Sequence, residues 1–261
     1  MAEFNDVYSR AVLYDIVFNR DVSGEIDFID AVSEKHRGSA PTALLDLACG
    51  PGYHARAFAR RGGRAVGLDL RPEMLAFAAE QAAAEGAQVE WIAADMRCVR
   101  LKEPVDMAIN VFDGIDCLLS NDDLIAHMQA IANCLTPRGL YLIDVTHPRL
   151  TNFNSYEQFH YAGQRDSIEV RIDWATNGPR LDPVRGVFDT EIRMHVRDNG
   201  TVFEHVDSAC ERILTANEID LLARVSGQLR VVDWYGAYDI NRPLDNTPQS
   251  PRMIAILQKI N

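Results

Sequence analysis

No stretch of these 261 residues stays apolar for the roughly 18 positions that a bilayer-crossing helix requires, so no spanning helix and no membrane partner are expected. The five cysteines (Cys49, Cys98, Cys117, Cys134 and Cys210) contain no CxxC pair and join no His/Cys cluster with zinc spacing. A disulfide framework and a metal centre are therefore not expected, and reduced, buried thiols are. The opening MAEFNDVYSR has early acids and no apolar core behind a basic start, so it does not read as a secretory signal. Internal repeats and low-complexity tracts are absent too. Basic residues are in the minority, 26 Lys and Arg against 38 Asp and Glu for a net charge of −12, and they are scattered. A protein that tracks a phosphate backbone gathers its cations on one face, so a nucleic-acid partner is not expected. A neutral or cationic small molecule suits the charge better, and the whole pattern points to the cytoplasm.

What is present is an alternation. Phe4 to Asn19 spaces Val7, Ala11, Tyr14 and Phe18 as one helical face, and GEIDFIDAVSEKHRG places Ile26, Phe28, Ile29 and Val32 the same way before a glycine stop. After Pro41 strands and helices take turns. The strands are TALLDLA, RAVGLDL, QVEWIAA, VDMAINVF and PRGLYLIDVTH; the helices are YHARAFARR, PEMLAFAAEQAAAEG and NDDLIAHMQAIANCL, the last with an Asn or Asp cap. Such a rhythm implies a parallel sheet covered by helices on both faces. From about Asn152 to Cys210 the period drops to two, in SIEVRIDW, GVFDTEIRMHV and TVFEHVDSACERI, with a hairpin signal at Asp198–Gly200. Asn199-Gly200-Thr201 also spells a glycosylation sequon, for which the hairpin turn is the simpler reading. The α/β pattern resumes with LTANEIDLLARVSG, which carries a capping box at Thr215 and Glu218, and closes with the strands LRVVDWYG and RMIAILQK.

Chemistry gathers where the first strand meets Gly50-Pro51-Gly52 and a helix follows. Glycines let the backbone turn tightly against a ligand, and a helix start offers unpaired N–H groups. The lysine of a phosphate-binding loop is missing, so nucleotide hydrolysis by that device is not expected. A dinucleotide site and an adenosine site without a pyrophosphate remain. Both want Asp69, which closes the second strand where a carboxylate can accept from ribose hydroxyls. Asp46 favours the second. It lies inside the apolar first strand, and a buried carboxylate needs a polar partner, which an ammonium or sulfonium ligand provides and a pyrophosphate does not. Asp95 and Met96, ending the third strand, suit an exocyclic amine and a purine face.

DLACGPG, GLDL-x-PEML and AADM, in this order over residues 40 to 148, resemble the class I S-adenosylmethionine-dependent methyltransferases. The resemblance implies a Rossmann-like seven-stranded α/β sheet with an antiparallel β insert after strand five. It implies a helical cap at 1–40, a cofactor-binding core at 41–150 and 211–261, and an insert at 151–210 serving as substrate lid or dimer surface. S-adenosylmethionine would be the cofactor and S-adenosylhomocysteine the product. Asp46 and the backbone of Ala48, Gly50 and Gly52 would surround its methionine half, Asp69 the ribose, Leu70 the adenine, and Asp95 with Met96 the adenine amine. Asn110 and Val111 would face the methionyl amino group. Pro51 stands where threonine or serine is frequent in the family.

The Asn/Asp-Pro-Pro-Tyr/Phe run of adenine and glutamine methyltransferases is absent after strand four. NVFDGIDCLLS instead looks like the corresponding segment of small-molecule methyltransferases, including sugar N,N-dimethyltransferases, and YDIVFNRD like their opening segment. That match places Tyr14 near the transferred methyl and Arg20 near the cofactor carboxylate. The acceptor is expected to be a small molecule methylated at an amine, a group that must first lose a proton. Asp113, Asp116, His147 and Tyr235 are candidates to take it, with Asp116 and His147 favoured by their positions after strands four and five. His54, Trp174 and Trp234 read as packing residues. A homodimer through the insert is a further expectation. The alternatives are an O-methyltransferase, a nicotinamide-dependent oxidoreductase, and a protein that binds S-adenosylmethionine without catalysis.

Overall fold

The computed structural model describes residues 7–150 and 158–260; the expected starts of the first helix at Phe4 and of the insert at Asn152 lie outside the described residues. Helices α1 (Ala11–Phe18) and α2 (Ser23–Arg37) lead into β1 (Ala43–Leu47), α3 (Tyr53–Arg60), β2 (Arg64–Asp69), α4 (Pro72–Ala84), β3 (Val89–Ala93) and β4 (Val105–Asn110). A 3₁₀ turn (Gly114–Cys117), α5 (Asn121–Cys134) and β5 (Leu135–Thr146) follow. Strands β6 (Phe159–Arg165), β7 (Ile168–Trp174), β8 (Val187–Asp198) and β9 (Thr201–Arg212) form the insert, and α6 (Ala216–Ser226), β10 (Leu229–Tyr235) and β11 (Arg252–Lys259) complete the chain.

Seven of these elements build a Rossmann-like seven-stranded sheet in the order β10-β11-β5-β4-β1-β2-β3, in which β11 alone runs antiparallel to its neighbours. Its central strands are buried on both faces, which is why β1 reads as an apolar run interrupted only by Asp46. Alternate residues serve opposite cores. Leu45 and Leu47 pack with Val66, Leu68 and Ile131 on the α5/α6 side, while Leu44 packs with Ala65, Ile109, Ile29 and Phe58 on the α2/α3 side.

Helix ends follow local chemistry. Gly38 terminates α2 in the left-handed region, Pro72 opens α4, and Thr215 and Glu218 close a reciprocal capping box on α6. The cap of α5 is Ser120, whose hydroxyl accepts from Asp123 N at 3.0 Å, and not the Asn or Asp the sequence suggested. The first helix starts only at Ala11, because Val7 turns inward to pack with the insert.

The insert is a four-stranded antiparallel sheet in the order β6-β7-β8-β9. Asn199 and Gly200, both at positive φ, join β8 to β9 in a two-residue hairpin. Phe188, Thr190, Ile192 and Met194 point inward as their alternation requires. What covers that inner face is α1: Ile16 and Phe18 pack against Val170, Ile172, Trp174 and Met194. The approach is close enough that a Cβ on Gly163 would lie 2.0 Å from the Ile16 carbonyl oxygen, so only glycine fits there. Asp15 ties the layers together. Buried at 2 % exposure, it accepts from the Tyr53 hydroxyl of the core at 2.9 Å and from Arg165 of the insert.

All five cysteines are free thiols. Cys49 and Cys134 are buried as expected; Cys210 is only half-buried, and Cys98, in the bend after β3, and Cys117, at the end of the 3₁₀ turn after β4, are exposed. Among the described residues no helix is long and apolar enough to cross a membrane, and no group of three or more His, Cys, Asp or Glu is arranged to hold a metal.

Candidate active site at the carboxyl edge of the sheet

Parallel register brings the singled-out residues to one edge. Leu47 of β1 pairs with Leu68 of β2 and Asn110 of β4, so Ala48, Asp69 and Asn110 emerge side by side. The chain then turns through Ala48, Gly50 and Gly52, all at positive φ, with Gly52 N donating to Cys49 O at 2.8 Å. A Cβ on Gly52 would lie 2.4 Å from the Trp91 ring, so this glycine both allows the turn and seats Trp91 beneath it. Gly50 N donates to Asp69 Oδ2 at 2.8 Å and Arg71 N to Asp69 Oδ1 at 2.8 Å, which fixes the second-strand carboxylate against the elbow. Burial raises the Asp69 carboxyl above its ordinary range, opposed by those backbone bonds.

Asp46 is 1 % exposed. Its Oδ2 accepts from Ala55 N at 3.2 Å in the first turn of α3, where the helix dipole favours an anion. Its Oδ1 is fully buried with no hydrogen-bond partner. Burial pushes this carboxyl up to about 6, against the pull of His54. Asn110, at 0 % exposure, also has an unpartnered Oδ1, while its Nδ2 contacts Met96 Sδ at 3.7 Å. Native interiors leave few polar atoms unmet, and two acceptors on the adjacent strands β1 and β4 match a donor-bearing ligand such as an ammonium.

Met96 is buried beside the edge, and His127 holds its carbonyl: Nδ1 donates to Met96 O at 3.0 Å while Nε2 accepts from the Tyr141 hydroxyl at 2.7 Å. Burial lowers His127 to about 4, which keeps that ring neutral. The Asp95 carboxylate is forked by Arg97 Nε and Nη2, and this pair draws it below its usual range. Leu70 is 55 % exposed on the edge, and Val111 is half-buried beyond Asn110. Arg20 donates to Glu25 at 3.0 Å and lies 5.4 Å over the Phe112 ring; Glu25 in turn is bonded by His54 Nε2.

Beyond β4 the backbone is strained. Phe112 and Asp113 are consecutive non-glycine residues at φ 57° and 65°, a conformation that costs of order 1–3 kcal/mol per residue. Asp144 holds it in place, accepting from Phe112 N at 3.0 Å and from the Tyr238 hydroxyl at 2.9 Å. Arg252 spans Asp144, through Nε at 2.7 Å, and Asp113, through Nη1 at 3.0 Å. Asp116 sits in the following turn with a buried, unpartnered Oδ1; burial first, then the negative charges of Asp113 and Glu211, lift its carboxyl well above the ordinary range.

An aromatic wall faces this loop. Tyr14 and Phe18 of α1 lie 4.3 Å apart between centroids, and Phe18 meets Phe112, Tyr161 and Trp174 at 5.0–5.9 Å. Burial raises the Tyr14 phenol, opposed by the Arg20 charge and reinforced by that of Asp69. His147 is elsewhere in role: Nε2 donates to Asp245 O at 3.0 Å and Nδ1 accepts from Arg149 N at 3.0 Å, so both ring nitrogens are committed to backbone. Tyr235 turns toward α2, bonded to Asp233 and Lys35. Sequence reasoning missed Asp144, Arg252, Glu211 and Tyr53. Asp144 had the same signature as Asp46, an acid inside an apolar strand; the others had none.

The fold is that of the class I S-adenosylmethionine-dependent methyltransferases, with the antiparallel insert after strand five. Residues 44–139 match a family described as a methyltransferase domain. An S-adenosylmethionine-dependent methyltransferase from Clostridium acetobutylicum superposes with a TM-score of 0.78 over 97% of this chain and 99% of that one, at 20% identity. DesVI of Streptomyces venezuelae gives 0.75 over 98% of both chains, also at 20% identity. Among curated proteins, a dTDP-3-amino-3,4,6-trideoxy-alpha-D-glucopyranose N,N-dimethyltransferase of Streptomyces venezuelae is 28% identical over 52% of this chain and 56% of its own. A ubiquinone biosynthesis O-methyltransferase of Chromobacterium violaceum is 30% identical over 36% of both chains. The chain thus spans about half or less of the length of the curated relatives it matches.

Proposed function

We propose that this protein is an S-adenosylmethionine-dependent methyltransferase that acts on a small molecule at an amine nitrogen. The observation that carries the reading is the pair of buried, unpartnered acceptors, Asp46 Oδ1 and Asn110 Oδ1, beside a glycine elbow that has no phosphate-binding lysine. They fit the ammonium of a methionyl group and would oppose a diphosphate. In this reading Asp46, Asn110 and the backbone of Ala48, Gly50 and Gly52 hold the amino-acid half. Val111 lies beside Asn110 at the methionyl amino group, and Asp69 accepts from the ribose, with Leu70, Asp95 and Met96 about the adenine. Arg20 meets the carboxylate by exchanging its bond with Glu25. The bound cofactor supplies an electrophilic methyl on a sulfonium sulfur, and S-adenosylhomocysteine is the product.

The chain's own part is alignment and proton removal. The aromatic wall with Tyr14 excludes water and orients the acceptor, and the unpartnered Asp116 carboxyl is placed to handle its proton. His147, with both nitrogens engaged, serves as a backbone pin. The kinship with amino-sugar N,N-dimethyltransferases supports the amine over the hydroxyl. A metabolite screen with isotopically labelled methyl donor, read by mass spectrometry, tests the reading. Label on a primary or secondary amine is expected; label confined to hydroxyls or to no metabolite would overturn it.

A further inference from the structure

Helix α1 lies where the two helices that flank the cofactor crevice meet the insert. On one side of the crevice the elbow after β1 runs straight into α3 at Tyr53; on the other, Asp69 at the end of β2 leads into α4 at Pro72. Ala11 and Tyr14 of α1 pack on Met74 and Phe77 of α4, while Leu13, Tyr14 and Val17 share a cluster with Tyr53. The helix therefore crosses the crevice from bank to bank. Its remaining contact is the insert, where Ile16 and Phe18 lie against the inner face and Gly163 has no room for a Cβ beside Ile16 O. One buried carboxylate ties α1 to both the core and the insert. Asp15 Oδ1 accepts from the Tyr53 hydroxyl at 2.9 Å, and Oδ2 accepts from Arg165 Nη2 and, at 3.5 Å, from Asn19 Nδ2. At 2 % exposure the group depends on these donors, and the loss of one is costly.

We propose that Asp15 is a positioning residue for methyl transfer, through which cofactor binding sets the aromatic wall that receives the acceptor. The proposal rests on the methyltransferase reading of the crevice and adds to it an order of binding, cofactor before acceptor. The wall is made in two halves, Tyr14 and Phe18 on α1 and Tyr161 and Trp174 on the insert; Phe18 meets Tyr161 at 5.0 Å and Trp174 at 5.9 Å. Asp15 fixes one half to the other through Arg165, and both to the elbow through Tyr53, which directly follows Gly52. A ligand seated on the backbone of Gly50 and Gly52 holds the start of α3 still, and Tyr53 with it. The bond to Asp15 passes that restraint to α1 and the insert. The same bond works in the other direction: α1 roofs the crevice, so the cofactor exchanges when the bond opens and the helix lifts. Such coupling is reciprocal, and an acceptor resting on the wall tightens the cofactor by the factor that the cofactor tightens the acceptor.

Hydrogen exchange by mass spectrometry on the intact chain, free and saturated with S-adenosylhomocysteine, tests this. Strands β6 and β7 carry none of the residues assigned to the cofactor, yet their amides are expected to exchange about tenfold or more slowly once it binds. Tyr53→Phe keeps the ring and removes only the hydroxyl. It should abolish that protection, leave the protection at the end of β2 around Asp69 in place, and speed S-adenosylhomocysteine dissociation by about tenfold in stopped flow. Asp15→Asn is the second variant and carries the same expectation. Insert strands of the wild-type chain that exchange alike with and without ligand would overturn the proposal, and that result needs no variant to fold. So would protection undiminished in the folded variants, or a dissociation rate unchanged in both. Insert exchange raised equally in the free and the bound variants, with the ligand-dependent protection kept, would make Asp15 merely structural and overturn it as well. Failure of the wild-type chain to take S-adenosylhomocysteine at all would instead overturn the methyltransferase reading beneath it.

Discussion

Cofactor affinity should fall on acidification, and one carboxyl should be responsible. Asp46 is raised from 3.8 to about 6 by burial, so the folded, ligand-free protein holds a proton there that an unfolded chain releases. The sign follows directly. A raised carboxyl contributes its favourable share below about pH 4 and loses it as pH rises through 6. At pH 7 the ionised group therefore costs the free protein roughly 3 kcal/mol, from about two units at 1.36 kcal/mol each. An ammonium placed at the unpartnered Oδ1 reverses that cost, because it favours the charged form and returns the carboxyl toward its ordinary value. Binding of S-adenosylhomocysteine then expels a proton below pH 6, and its Kd should be about tenfold weaker at pH 5 than at pH 7.5. Asp69 is raised as well, so Asp46→Asn is the control. It should weaken binding at pH 7.5 and flatten most of the pH dependence. Isothermal calorimetry across that range decides: a wild-type Kd that is flat in pH, or an Asp46→Asn profile as steep as the parent's, would refute the reasoning.

Asp69→Ala removes the acceptor for Gly50 N and Arg71 N together with the ribose contact. It should weaken S-adenosylhomocysteine by about tenfold or more, at about 1.5–3 kcal/mol per charged hydrogen bond, and calorimetry giving an unchanged Kd would remove this residue from the site. Gly52→Ala meets both a positive φ and the Trp91 ring. It should cost about 2 kcal/mol or more and lower the melting temperature by about 4–8 °C, with cofactor binding lost alongside. Asp116→Asn should reduce kcat by about 10²-fold or more while leaving S-adenosylhomocysteine affinity near the parent value. Equal losses in the two would assign the carboxyl a structural role.

The sheet was legible because its signals are local. Apolar runs such as TALLDLA and VDMAINVF, each bounded by glycine, proline or a helix cap, have only one economical packing. The elbow and Asp69 were legible because positive φ and a strand-end acid are written in residue types. Strand β6 was not, since FHYAGQR is a mostly exposed edge strand with a glycine and no clean alternation. The cap at Ser120 was missed because Asn121, Asp122 and Asp123 all compete for the same position in the sequence. Tertiary pairings were out of reach altogether. Nothing local announces that Arg252 clamps Asp113 and Asp144, or that Asp15 joins Tyr53 to Arg165. His147 shows the converse: its place after β5 suggested chemistry, whereas its ring nitrogens are taken by Asp245 O and Arg149 N.

Every residue role proposed for this protein depends on a carboxyl edge built for an adenosine that carries an amino-acid tail. Calorimetric titration of the purified chain with S-adenosylhomocysteine, run beside NAD under the same conditions, measures this most directly. One molecule of S-adenosylhomocysteine bound per chain and no heat from NAD is the result expected; saturable binding of NAD with none of S-adenosylhomocysteine would contradict it.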